Sequence, residues 1–214
     1  MRIAKLEPSK HKKDRWLVWL DDGSLLRVSE NEVVSFALYA GRELTDEDFD
    51  ALSRSAGTSA VHSKALDLIA ARPLSRKELI DKLTARPRDR EKPPLADQEQ
   101  ANEAADWLAG MGYLDDGEYA RTVARHYSAK GFGVRKIKDE LFRRGVPREY
   151  WDEALACAEP PEDGVDAFLR GRFKGSVPDE KDLKRASDAL ARRGYRWDEI
   201  KAGLTRYGAE IDEE

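Results

Sequence analysis

The chain has 214 residues, 40% of them hydrophobic and 37% charged, with a net charge of −4; so large a charged share leaves little for one big globular core and suits an elongated helical body. The acidic balance excludes a chain that wraps nucleic acid along its whole surface, so any such contact must come from local charge. A single cysteine, Cys157, excludes an internal disulfide framework, and histidines only at positions 11, 62 and 126 give no zinc-ligand spacing. The N-terminal MRIAKLEPSKHKK has no apolar core of signal-peptide length, and no run of about 18 apolar residues occurs, so a cytoplasmic protein is expected.

In chain order, Arg2 to Leu6, Trp16 to Leu20 and Ser24 to Val28 are short runs rich in aromatic and branched residues. Asp21, Asp22 and Gly23 form a hairpin turn signal between the last two, so a small antiparallel sheet is predicted. Ser29 and Glu32 make a capping box for a helix over VVSFALYA that Gly41 stops, and Thr45 with Asp48 opens another through FDALSRSA. Residues 1–58 are thus expected to form a small α/β cap, joined by AGTSA to an all-helical remainder.

A first group of three helices is predicted over residues 60–113. Ala65, Leu66, Ile69 and Ala70 mark one helix ended by Pro73; Ser75 and Glu78 cap the next, with Leu79, Ile80 and Leu83 as its apolar stripe. RPRDREKPPLAD, with three prolines, reads as a loop before a third helix carrying Ala101, Ala104, Ala105, Trp107 and Leu108.

A second group is predicted over 114–158. Asp115 or Asp116 caps a helix holding Tyr119, Ala120, Val123 and Tyr127, which Gly131 ends; Val134, Ile137, Leu141 and Phe142 are the expected inner face of the next, and Pro147 starts a third. The third group, 162–208, shows Val165, Phe168 and Leu169, then Leu183, Ala186 and Leu190, then Trp197, Ile200 and Leu204, before an acidic tail at 209–214. One plan recurs about every fifty residues: a basic or Gly break, a short spacer and a Lys/Arg/Glu-rich amphipathic helix, as in RPLSRKELIDKLTAR, KGFGVRKIKDELFRRGV and FKGSVPDEKDLKRASDALARRGY. The predicted fold is therefore mainly α, tandem three-helix repeats forming an elongated body with a small N-terminal α/β cap. Nine helices packed 8 to 10 Å apart set an upper limit of roughly 80 Å.

GYLDDGEYA followed by AKGFGVRKIKDELFRRGV, with LIAARPLSRKELIDKL before and YRWDEIKAGL after, closely resembles the RecX family of bacterial recombination regulators, over roughly residues 60 to 208. The resemblance implies tandem three-helix repeats and a partner, the RecA recombinase filament, in whose groove family members lie and whose DNA-dependent ATPase, strand-exchange and co-protease activities they repress. It also implies a role in homologous recombination, DNA repair and the SOS response. A monomer without cofactor is expected. Two readings of other classes stay open: a direct DNA-binding protein, from the helix-turn-helix look of GFGVRKIKDELFRRGV, and a helical-repeat scaffold for another protein. No nucleophile with a base, phosphate loop or dinucleotide fingerprint is present, so no enzymatic role is expected.

The candidate contact surface, for RecA or DNA, is the basic stretch from Gly117 to Trp151, where nine Lys and Arg residues face four acids. Its candidates are Arg121, Arg125, Lys130, Arg135, Lys136, Arg143 and Arg144. Lys136 with Glu140, and Asp139 with Arg143, stand four apart and would neutralise one another on a solvated helix face. Arg121 and Arg125 lack an acid four residues away within their helix, and Lys130, Arg135 and Arg144 look locally unpaired, which makes these five the stronger candidates. Tyr113, Tyr119, Tyr127, Trp107, Trp151 and Trp197 fall at apolar helical positions and read as core rather than base-stacking platforms. Asp115 and Asp116 read as caps rather than a metal or acid pair, His126 as an ordinary exposed residue, and Cys157 as a small buried one.

Overall fold

The structure is a computed structural model and describes residues 1–89, 91, 93–174 and 178–208. The expected acidic tail, 209–214, lies outside the described residues. The chain divides into two compact units, residues 1–72 with 79–113, and residues 73–78 with 114–214.

The first unit opens with three antiparallel strands in sequential order, β1 (Ile3–Pro8), β2 (Arg15–Leu20) and β3 (Leu25–Ser29). Gly23 turns the β2–β3 hairpin at φ +84°, a backbone region that glycine enters without steric cost. One sheet face is apolar by the two-residue strand period: Ile3, Val18, Leu20 and Val28 are buried with Leu38, Leu44, Leu52 and Ala56. Ser29 and Glu32 form the predicted capping box at α1 (Glu30–Ser35). That helix ends earlier than Gly41, because Ala37 turns to φ +45° and the Arg42 guanidinium donates to the carbonyl oxygens of Phe36 and Ala37 in place of the missing helical N–H donors.

Thr45 and Asp48 cap α2, which runs unbroken from Asp46 to Ala71. The boundary expected at residues 56–60 therefore lies inside a helix. AGTSA contains no proline, and Leu52, Ala56, Val61 and Ala65 continue one buried stripe straight through it. Ser55 and Ser59 are also engaged, since both hydroxyls donate to the carboxylate of Glu32, which is 1% exposed. Burial acts to raise that carboxyl, but the hydrogen bonds from Ser59, Ser29 and Ser55 outweigh it and hold Glu32 below the usual carboxylate range. The unit also contains α4 (Gln98–Gly110), capped by Asp97, whose Trp107 ring stacks on His62 of α2 at 4.0 Å.

The Ser75–Glu78 capping box forms at α3 (Arg76–Leu83), with Leu79 and Leu83 buried. The second unit continues with α5 (Asp116–Ala129), α6 (Val134–Arg143), a 3-10 turn (Arg148–Tyr150) leading into α7 (Trp151–Ala156), then α8 (Pro161–Phe173), α9 (Glu180–Arg192) and α10 (Trp197–Arg206). Two apolar clusters lie among its described residues. Tyr119, Ala120, Val123, Ala124, Ile137, Leu141, Val146 and Ala154 fill the first; Val165, Leu169, Phe173, Ala186, Leu190, Tyr195, Ile200 and Leu204 fill the second.

Backbone joins α6 to the α9–α10 turn: Gly133 N–H donates to Arg193 O at 2.9 Å, and Arg135 N–H to Gly194 O at 3.1 Å. The approach requires glycine, because a Cβ on Gly133 would stand 2.5 Å from the carbonyl of Gly194.

Four apolar expectations are corrected. Phe142 is 68% exposed, since the inner face of α6 is set by Ile137, Glu140 and Leu141 and the next residue lies about 100° further round the helix. Tyr113 follows the left-handed turn at Gly112 and is exposed, as is Trp197 at the first position of α10. Cys157 caps the end of α7 and is exposed rather than buried.

Candidate functional site

The basic candidates lie on α5, on α6 and in the turns that bound them. Asp115 caps α5 through a 2.9 Å hydrogen bond from Glu118 N–H, which aims Tyr119, Ala120, Val123 and Ala124 inward and leaves Arg121 and Arg125 on the outer surface. Asp116 does something different. Its carboxylate accepts from Arg76 N–H at 2.8 Å, satisfying an orphan donor at the start of α3, and burial pushes its pKa up despite that bond.

Several cations have partners in space that local spacing does not suggest. Arg121 pairs with Glu118 at 2.8 Å and with Glu153 at 2.6 Å, and Arg125 reaches the other oxygen of Glu118 at 2.9 Å. The two arginines, read as unpaired from their sequence neighbours, thus share one carboxylate, whose pKa their hydrogen bonds lower. Arg143 turns to Glu140 at 2.5 Å, and Lys136 approaches the same carboxylate at 3.8 Å.

Arg144 is the larger correction. Only 22% of its side chain is exposed, and Nη1 donates to the Tyr119 hydroxyl at 2.6 Å, which in turn donates to Glu78 at 2.7 Å. Its Nε sits 3.5 Å from Glu140, within ion-pair reach but outside hydrogen-bond geometry. Ser75, the cap of α3, donates its hydroxyl to the Arg144 carbonyl. Burial acts to lower the guanidinium pKa, yet the tyrosine hydrogen bonds and neighbouring charges raise it overall. Glu140 is the hub of this cluster: desolvation acts to raise its carboxyl, and the hydrogen bonds and charge of Arg143, with Tyr127 and Arg144, hold it below the usual carboxylate range. The acid four residues before Arg144 was visible in the sequence; Tyr119 and Glu78, brought in by the fold, were not. Arg144 therefore ties α3, α5 and α6 together and has little of its charge to offer a partner.

Lys130 and Arg135 are the exposed cations among the seven that have no ion-pair partner among the described residues, and Lys138, next along the outer face of α6, is another. No group of acids, cysteines and histidines that could hold a metal occurs among the described residues, and no described helix is long and apolar enough to cross a membrane.

A family model for RecX, second three-helix domain, matches residues 115–155, the segment that carries α5 to α7. The regulatory protein RecX of Xanthomonas axonopodis pv. citri is 34% identical over 149 residues, covering 69% of this chain and 86% of the relative. The chain belongs to the RecX family. The RecX regulatory protein of Bacillus licheniformis is 29% identical over 216 residues, 99% of this chain and 79% of the relative. Two solved structures share the fold: a crystal structure of a regulatory protein RecX, with a TM-score of 0.67 at 20% identity over 96% of this chain and 98% of that one, and RecX from Lactobacillus salivarius, with a TM-score of 0.60 at 17% identity over 71% and 97%. RecX is a regulatory family, and this chain, mainly helical with a small N-terminal sheet, shares its fold with those two solved structures.

Proposed function

We propose that this protein binds the RecA recombinase filament and represses its DNA-dependent ATPase, strand-exchange and co-protease activities, so tempering homologous recombination, DNA repair and the SOS response in the cytoplasm. Membership of the RecX regulatory family carries the reading. Of the cations on α5, on α6 and in the turns that bound them, Lys130, Arg135 and Lys138 have no ion-pair partner among the described residues, which leaves their charge available to an acidic partner surface. Arg121, Arg125, Lys136 and Arg143 would have to exchange existing ion pairs for new ones, and Arg144 belongs to the fold.

Co-sedimentation with RecA filaments assembled on single-stranded DNA tests the proposal. The protein should pellet with filaments and stay in the supernatant with DNA alone at the same salt. Failure to pellet with filaments would point to a scaffold for another protein. Nanomolar binding to naked DNA with a steep log-log salt slope would favour the direct DNA-binding reading.

A further inference from the structure

Between the C-terminal end of α5 and the outer side of α8 lies an open groove of about 920 Å³. Its walls carry Lys130, Arg170, Arg172 and Arg193 against the acids Glu159 and Asp163. None of the four cations has an ion-pair partner among the described residues, and Lys130, Arg170 and Arg172 are exposed. Arg193 is fixed in place. Its guanidinium lies 5.0 Å from the Phe168 ring centroid and 5.8 Å from that of Phe132, and Nη1 donates to Gly131 O at 3.3 Å. A guanidinium held by two rings and one carbonyl still has N–H groups free, with much of the ordering cost already met by the fold.

Gly171 adds an independent observation. It lies within α8 on the lining of this groove, and a Cβ built there would meet nothing within 4 Å. Glycine inside a helix costs about 1 kcal/mol relative to alanine, and no packing among the described residues requires it here. Bare backbone at that point lets an incoming chain approach closely.

We infer that this groove binds an acidic peptide segment of a partner protein. The lining selects peptide over nucleic acid: a phosphate backbone is negative at every step and would meet Glu159 and Asp163, whereas a peptide can set carboxylates against the arginines and N–H groups against those two acids. The volume admits a short stretch of extended chain rather than a single ion. Lys130 belongs both to this groove and to the partner surface proposed above, so the inference rests on the regulatory reading for which protein supplies the segment, though not for the chemistry of binding.

The test is fluorescence anisotropy with the full chain and a short fluorescein-labelled peptide rich in Asp, Glu and Leu, beside a labelled oligo-dT of equal charge. Wild type should bind the peptide more tightly than the oligonucleotide. Arg170→Glu/Arg172→Glu should weaken the peptide roughly tenfold or more, whereas Lys181→Glu/Lys184→Glu, the same charge change on α9, should weaken it far less. Gly171→Leu leaves charge unaltered and favours helix, so it should lower peptide affinity without lowering the melting temperature. Equal loss in both charge variants, unchanged binding by Gly171→Leu, or tighter binding of the oligonucleotide would overturn the inference. Repression of RecA without peptide binding would sink the groove alone; peptide binding without repression would support the groove and sink the recombinase reading.

Discussion

Glu140 occupies an inward position of α6 where the helical period calls for an apolar side chain, and it is buried with Arg143, Arg144 and Tyr127 around it. Because its folded pKa lies below the ordinary value of 4.5, the stability it contributes is present above that value and is lost as pH falls through and below it. Glu140→Gln should therefore destabilise at neutral pH and flatten the acid limb of the stability curve. Urea midpoints measured from neutral pH down past 4 would show it; an unchanged acid limb would remove Glu140 from the balance. Asp116 has the opposite sign, a carboxyl raised by burial that still caps α3. Asp116→Asn keeps the acceptor and removes the buried charge, so it should be neutral or stabilising, while Asp116→Ala should cost about 1 kcal/mol. At this scale the sequence is legible where the chemistry is local. Ser29, Thr45 and Ser75 cap as their three-residue spacing predicts, and of the two candidates Asp115 and Asp116 it is Asp115 that caps α5. The pairing of Arg121 with Glu153 spans 32 residues and exists only once α5 and α7 pack.

Among the elements, α2 is where local reading and packing diverge most. A glycine amid small polar residues has the look of a linker, yet a continuous apolar stripe and the serine contacts to Glu32 hold the helix together through it. Since a Cβ on Gly57 would touch nothing, Gly57→Ala should stabilise by about 1 kcal/mol and raise the melting temperature by roughly 2–4 °C. A drop in melting temperature would mean that the segment needs glycine after all. Gly133 is the reverse case. Its backbone angles suit any residue, but a Cβ would collide with the Gly194 carbonyl, so Gly133→Ala should cost about 1–3 kcal/mol by forcing α6 away from the α9–α10 turn. An unchanged melting temperature would show that this contact can slide. Both glycines read alike in sequence, as helix punctuation; only the surrounding chain separates them.

For the whole molecule, the helical class, the N-terminal hairpin and the family are readable from the sequence, because strand alternation, caps and the GYLDDGEYA…KGFGVRKIKDELFRRGV segment are each continuous stretches of chain. Which cations remain available for a partner is not readable that way, since the fold engages Arg121, Arg125, Arg143 and Arg144 with acids or a tyrosine. If Lys130 and Arg135 engage a recombinase filament as proposed, reversing their charge should weaken repression. The measurement is the ATPase rate of RecA on single-stranded DNA, titrated with wild-type protein and with the Lys130→Glu/Arg135→Glu variant, after circular dichroism has shown the two to be equally helical. Wild type should repress and the variant should repress clearly less; no repression by wild type, or full repression by the variant, would refute the proposal.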